Sequence, residues 1–260
     1  MWGDQILHEP LQVRQACALP DCVRCQCYQE RRALSVARWR AQRSATSSAR
    51  LETAMRLLAL GRVTRDPLES YRPTLLHIPE LRAPPLMTEE SCTSCCAHML
   101  QAARAATTAL QMDYEQLLAE ADSNSSSSGP SFWKHNQTDQ GQWLVAMLVD
   151  QGRCNNELWA ACPGAAALLR LLQSDVCRCV FGNAFFSVLD PGAKIEPHTG
   201  PANARLRLHI PLNDTPAILR CGGTQTHWRV GEPFLMDDSY EHSVEYCAPP
   251  DVRVSAWQLL

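Results

Sequence analysis

The sequence has no surplus of positive charge. Its 24 Lys+Arg stand against 27 Asp+Glu, for a formal net charge of -3 over 260 residues. A nucleic-acid partner would find no basic footprint to hold it, so that class is set aside. No stretch approaches the roughly 18 consecutive apolar residues that a membrane span needs. The opening residues, MWGDQILHEPLQ, lack the basic start and apolar core of a secretory signal. Internal repeats are absent too. What remains is an ordinary globular composition, 45% hydrophobic and 20% charged. The length suits one main domain with an appendage.

Cysteine, by contrast, is plentiful, at 13 residues. An odd count leaves at least one without a partner inside the chain. Cys17, Cys22, Cys25 and Cys27 crowd the N-terminus, and Cys22-x-x-Cys25 has zinc-ligand spacing. No second Cys or His pair follows at ribbon spacing, so disulfides or free thiols are the better reading. Asn-x-Ser/Thr sequons begin at Asn124, Asn136 and Asn213. Together with the cysteines they lean toward an oxidising lumen.

Residues 29–70 read as helix, with apolar residues at near-helical spacing from Leu34 to Leu58 and Gly61 suited to a helix end. Their arginines read as a solvated helix face. YRPTLLHIPELRAPPLM follows as a β-run into a proline-rich turn. Thr88, with acidic residues after it, suits the N-cap of a long helix over 88–120. SNSSSSGP at 123–130 reads as a surface loop, Trp143–Val149 as a strand and 164–172 as a short buried helix. The last third turns to short β-rich runs at 206–212, 217–221 and 233–236, each bounded by turn residues such as Asn213-Asp214 or Gly222-Gly223. Short strands between tight turns predict a barrel or sandwich with helices against one side. A jelly-roll or cupin-type double-stranded β-helix would bring His198 and His242 together.

Neutral imidazoles bind first-row metals, and a site with few protein ligands leaves positions open for a co-substrate and O2. Non-haem iron oxygenases use His-x-Asp and a distal His. Here the triplet is His198-Thr199-Gly200, with glycine where the carboxylate would stand. Two polar residues on a β-sandwich are the plain alternative. Asp237 and Asp238, shortly before His242, are either partners that orient the imidazole or a solvated turn. Along the strand at 206–212, Arg205, Arg207 and His209 share one face and Leu206 and Leu208 the other.

From about Arg72 onward the chain resembles the aspartyl/asparaginyl β-hydroxylase family. The likeness rests on GQWLVAMLVDQG (141–152), FGNAFFSVLDPGAKIEPHTGPANARLRLHIPL (181–212) and GEPFLMDDSYEHSV (231–244). PDCVRCQC (20–27) adds a likeness to the family's aspartate β-hydroxylase domain-containing subgroup. The resemblance implies residues 1–71 as a cysteine-containing helical segment, 72–260 as the domain and about 181–260 as its barrel core. It implies that His198 and His242 alone hold Fe(II), a glycine standing where the acid is expected. It further implies that Trp143, Ser187, Arg207, His209 and Arg253 bind 2-oxoglutarate; Arg253 is displaced by one residue from the family position. The implied activity is oxidative decarboxylation of 2-oxoglutarate with O2, coupled to hydroxylation of Asp or Asn at the β-carbon in a protein or peptide substrate. Relatives of this kind carry an N-terminal membrane anchor facing the endoplasmic reticulum lumen; a chain without it is expected to be a fragment or short form. After RVSAWQLL relatives continue with a further segment, whose loss would weaken the barrel edge. Two rivals stand beside this reading: an inactive family member acting as a binding module, and a zinc protein of cupin type.

Overall fold

The computed structural model describes residues 8–10, 28–42, 48–92, 94–123, 132–136, 138, 140–172, 179, 181–246 and 254–259. Arg253, Asn124, the N-terminal cysteine cluster and the 123–130 loop beyond its first residue lie outside them.

The chain opens with β1 (His8–Pro10), α1 (Tyr28–Gln42), α2 (Ala49–Ala59) and β2 (Arg62–Thr64), then β3 (Leu86–Met87) and α3 (Ser94–Ser123). Next come β4 (Trp133–His135), β5 (Trp143–Asp150), β6 (Arg153–Cys154), α4 (Asn156–Ala161) and α5 (Pro163–Leu171). The rest is strand: β7 (Ala184–Leu189), β8 (Lys194–His198), β9 (Arg207–Pro211), β10 (Ile218–Cys221), β11 (Thr224–Thr226), β12 (Phe234–Met236), β13 (His242–Glu245) and β14 (Val254–Leu259).

An eight-stranded sheet runs β3-β12-β9-β14-β7-β5-β4, with β6 paired to β5, and a four-stranded sheet runs β11-β10-β13-β8. All the strand pairings are antiparallel. The two sheets face each other as the halves of a double-stranded β-helix, and helices cover the outer face of the larger one.

Period-two patterning does the sorting. On β7, Ala184 and Phe186 join the apolar cluster under α3–α5, whereas Phe185 and Leu189 join the cluster between the sheets. On β5, Ala146 and Leu148 go to the helices and Trp143 and Val145 to the inter-sheet side. Both faces are covered, so every residue of β7 is buried. The helix α3 meets the sheet through Ala103, Leu110 and Leu117, one residue every two turns. Asp113 on α3 accepts the backbone N–H groups of Gly164 and Ala165 at 3.3 and 2.8 Å, capping α5 from a different helix. A third cluster packs Val36, Met55 and Leu58 against Leu75, Leu76, Ile78, Phe181 and Ala202. The first two helices thus share a core with the strands' own connections.

The structure departs from the sequence reading in several places. The expected helix over 29–70 is two helices that stop at Ala59; Gly61 turns the chain at φ 71° into β2. The long helix begins at Ser94 rather than Thr88, because Ser91 Oγ and the Thr88 backbone close a separate turn first. The β-run after Tyr71 makes only isolated bridges, Tyr71 to Tyr240 and Leu76 to Ala202. The large sheet also recruits β3, β4, β5 and β6, all earlier than residue 181. Asn136 is buried, so its amide is not displayed as a glycan acceptor would be, whereas Asn213 is half-buried and its Oδ1 accepts both the N–H and the hydroxyl of Ser255. Cys92, Cys96, Cys162, Cys179 and Cys221 are free thiols.

Candidate active site

His198 ends β8 and His242 begins β13, and these strands pair so that the two residues stand directly opposite. Their ring centroids are 4.1 Å apart at 55°. A register shift between His242 and Val244 lets the pair sit at the rim of the small sheet. Each Nδ1 lies 2.8 Å from a backbone carbonyl two residues back, Glu196 O for His198 and Tyr240 O for His242. A carbonyl can only accept, so both Nδ1 atoms carry a proton, and in the neutral imidazole the lone pair falls to Nε2. This is the tautomer a metal ligand needs, fixed by local backbone. Neither aspartate serves that purpose.

Asp237 accepts from Tyr71 Oη at 3.0 Å, Ser239 N at 3.0 Å and Ala83 N at 3.4 Å. Asp238, fully buried, accepts from Arg205 Nη2 at 2.7 Å and Arg207 Nη2 at 3.0 Å. Burial alone would raise the Asp238 carboxyl; the guanidiniums of Arg205 and then Arg207 outweigh it and hold it at about 2. Gly200 explains itself in the same place. Its N–H donates to Asp238 O at 2.6 Å, and a Cβ on Gly200 would overlap the Asp238 carboxylate. The side chain missing from the His-x-Asp triplet has its space filled by a carboxylate from another strand connection, and that carboxylate is bound to two arginines. Among the described residues no group of three or more His, Cys, Asp or Glu side chains could share a metal ion.

A cavity between the sheets is lined by His198, His242, Arg207, His209, Trp143, Ser187, Trp228 and Gln258, with Ile195, Leu219, Met236 and Val244 as apolar wall. Arg207 and His209 therefore point inward from β9, while Leu208 and Ile210 pack outward under the helices. Arg205 turns aside to Asp238 and to Phe181 O, at 2.5 Å. Trp143 Nε1 donates to Ser187 Oγ at 2.9 Å across β5 and β7. His209 is 2% exposed and stacks on Phe234 at 4.8 Å and 7°. Burial, then the positive charge of Arg207, pushes its imidazole well below the ordinary histidine range, so it is neutral. Neither of its ring nitrogens has a hydrogen-bond partner among the described residues, and the same holds for Gln258 Oε1 and Trp228 Nε1. Buried polar atoms of this kind call for a partner. Four such atoms around one cavity describe a polar ligand's site.

Gln258 and Trp228 were not singled out from sequence. The signal for Gln258 was its parity: on β14 it stands opposite His209. Trp228 follows β11 in a connection with no periodicity to read.

The sequence model of the aspartyl/asparaginyl beta-hydroxylase family matches residues 105–255. The chain belongs to this hydroxylase family. Human aspartate beta-hydroxylase domain-containing protein 2 is 29% identical over 236 residues, covering 87% of this chain and 60% of that protein. Mouse aspartate beta-hydroxylase domain-containing protein 1 is 42% identical over 106 residues, 40% of this chain and 29% of that protein. Mouse aspartyl/asparaginyl beta-hydroxylase is 36% identical over 113 residues, 42% of this chain and 15% of that protein. The chain therefore spans less than two thirds of each of these family members. Among solved structures, a Pseudomonas putida prolyl-4-hydroxylase aligns over 62% of this chain and 85% of its own, with 15% identity and a TM-score of 0.34. No described helix of this family member is long and apolar enough to cross a membrane.

Proposed function

We propose that the chain is an Fe(II)- and 2-oxoglutarate-dependent dioxygenase that hydroxylates a protein side chain, Asp or Asn at the β-carbon. The observation that carries this reading is the opposed histidine pair, each Nδ1 tied to a carbonyl so that two Nε2 lone pairs are offered beside one polar cavity. That donor set fits a ferrous ion, for which imidazole is a suitable ligand and open positions are required. Gly200 leaves no room for a third ligand of its own.

The chemistry supplied by iron there, with 2-oxoglutarate as the two-electron co-substrate, is insertion of one oxygen atom of O2 into a C–H bond, with succinate and CO2 as the other products. The chain's own residues then divide the remaining tasks. His198 and His242 hold the ion. Arg207 presents a guanidinium suited to a carboxylate of the co-substrate, and Asp238 fixes its direction. Neutral His209 beside it takes or gives a hydrogen bond without adding charge. Trp143 and Ser187, bonded to each other, hold the opposite wall. Ile195, Leu219, Met236 and Val244 keep bulk water out. Arg253 is assigned to the co-substrate by the family resemblance and lies outside the described residues.

The test is succinate formation from 2-oxoglutarate with added Fe(II), compared with and without O2. Oxygen-dependent succinate that vanishes in His198→Ala and in His242→Ala is the expected result. Binding of metal and 2-oxoglutarate with no succinate under any substrate panel would favour a binding module and overturn the enzyme reading.

A further inference from the structure

Two indoles line the cavity, and they differ in how they are satisfied. Trp143 Nε1 donates to Ser187 Oγ, whereas Trp228 Nε1 has no acceptor among the described residues. Trp228 is 3% exposed and firmly placed. Its carbonyl accepts from Thr215 N at 3.1 Å, and its ring lies 6.4 Å from Phe234 and 6.1 Å from His209 between centroids. Gln258 reaches the same corner from another strand. It stands opposite His209 where β14 pairs with β9 and opposite Phe185 where β14 pairs with β7, so the sheet holds it from both sides. It is 5% exposed, and its Oε1 has no partner among the described residues.

An indole N–H can only donate, so whatever completes Trp228 is an acceptor. Gln258 can turn its amide to present NH2 in place of the oxygen. Both donors sit beside His209, which follows Arg207 by two residues on the same face of β9, roughly 6.6 Å along the strand. Arg207 is the one Lys or Arg among the described residues that line the cavity. A carboxylate offers about four acceptor positions, and one guanidinium fills two at most. Arg207 has already turned Nη2 to Asp238. The rest of the carboxylate's shell needs neutral donors. We infer that Trp228 and Gln258 are co-substrate-binding residues, an assignment that rests on the 2-oxoglutarate reading of this cavity: the indole N–H and the amide NH2 donate to the carboxylate that Arg207 receives, at the end of the oxo acid away from the metal.

The consequence is selectivity for the oxo acid. A ligand with the metal-binding end alone leaves both donors buried and unpaired, and a site built to hydrogen-bond a group discriminates against ligands that lack it. The two residues act on one end of the co-substrate and leave the other to the histidine pair.

The experiment is calorimetric binding to the whole chain with Mn(II) in place of iron, so that no turnover intervenes. The ligands are 2-oxoglutarate and oxalate, the second offering only a metal-binding end. Trp228→Phe and Gln258→Met are each expected to weaken 2-oxoglutarate about tenfold, the loss of one hydrogen bond to a charged group, and to weaken oxalate less than twofold. Gln258→Met, close in size and shape, decides alone should Trp228→Phe not fold. Unchanged affinity for 2-oxoglutarate, the result if buried water satisfies these atoms, would overturn the assignment, and so would equal losses for the two ligands. An unaltered chain that binds oxalate but not 2-oxoglutarate would instead sink the 2-oxoglutarate reading itself, and this assignment with it.

Discussion

Asp237 and Asp238 are neighbours in the chain, both buried, and pulled in opposite directions. Asp237 meets three neutral donors, and burial dominates, raising its carboxyl above the ordinary value. Asp238 meets two guanidiniums, which outweigh a deeper burial and depress it. The difference lies in what each environment compensates. Neutral hydrogen bonds satisfy a carboxylate's geometry without cancelling its charge; a guanidinium does both. The strand-to-strand connection thus carries one acid that locks the 71–83 segment and another that locks the arginine side of the cavity.

The strongest way to break the comparison is Asp238→Ala. It leaves Arg205 and Arg207, whose side chains are 9% and 14% exposed, without their shared anion. Removing one partner of a buried pair costs on the order of 3–5 kcal/mol, readable as a fall in the denaturation midpoint at constant m-value. The pH dependence follows with its sign. Asp238 is depressed from 3.8 to about 2, so its contribution is present above the unfolded value and is lost as pH falls through that interval.

Gly200→Ala attacks the same carboxylate from the other side. The new Cβ overlaps Asp238, and overpacking of this kind costs about 1–3 kcal/mol. Gly200→Asp is the sharper variant. It writes a His-x-Asp triplet into the sequence, yet it should neither tighten metal binding nor raise turnover, because the space is taken. A gain in metal affinity measured by titration would show that Asp238 can be displaced.

Arg205 and Arg207 share Asp238 but differ in their second direction, Phe181 O for one and the cavity for the other. Arg207→Lys keeps the charge and loses the fork, and should raise the KM for 2-oxoglutarate roughly tenfold, about 1.4 kcal/mol. Arg205→Lys should lower the unfolding midpoint and leave that KM unchanged. Equal KM effects would mean that the two arginines are not divided in this way.

How much of this could be read beforehand follows the range of the interactions. The face of β9 was legible, because alternation of Arg207 and His209 with Leu206 and Leu208 is local and β-geometry turns it into inside and outside. The pairing of His198 with His242 was legible only through the motifs around them, since nothing in either residue's own neighbourhood announces the other. The reason for Gly200 was not legible: it depends on the Asp238 carboxylate arriving through a different sheet connection. The sequence leaves Asp237 and Asp238 as either orienting partners of the imidazole or a solvated turn, and they are neither: both are buried, and the partner of each histidine is a backbone carbonyl two residues away, which leaves no trace in residue identity. The start of α3 shifted for a similarly local reason, a Ser91 side chain closing its own turn.

The smallest effect, and the one that tests the comparison itself, is Asp237→Asn. An amide oxygen can still accept from Tyr71 and Ala83, but its NH2 then faces the Ser239 N–H that Oδ1 now accepts. One hydrogen bond is lost, worth about 1 kcal/mol. Against this, the variant no longer has to bury a charge. For an acid whose folded pKa is raised, stability is fully present below the unfolded value of 3.8 and is lost as pH rises through the folded one. The unaltered chain therefore gains from Asp237 and loses from Asp238 on acidification. Asp237→Asn removes only the gain, so the variant's deficit should widen as pH falls from neutral toward 4, measured as the difference in unfolding free energy at each pH. A deficit that narrows instead would mean that Asp237 is depressed like its neighbour, and that the three neutral donors do offset its charge.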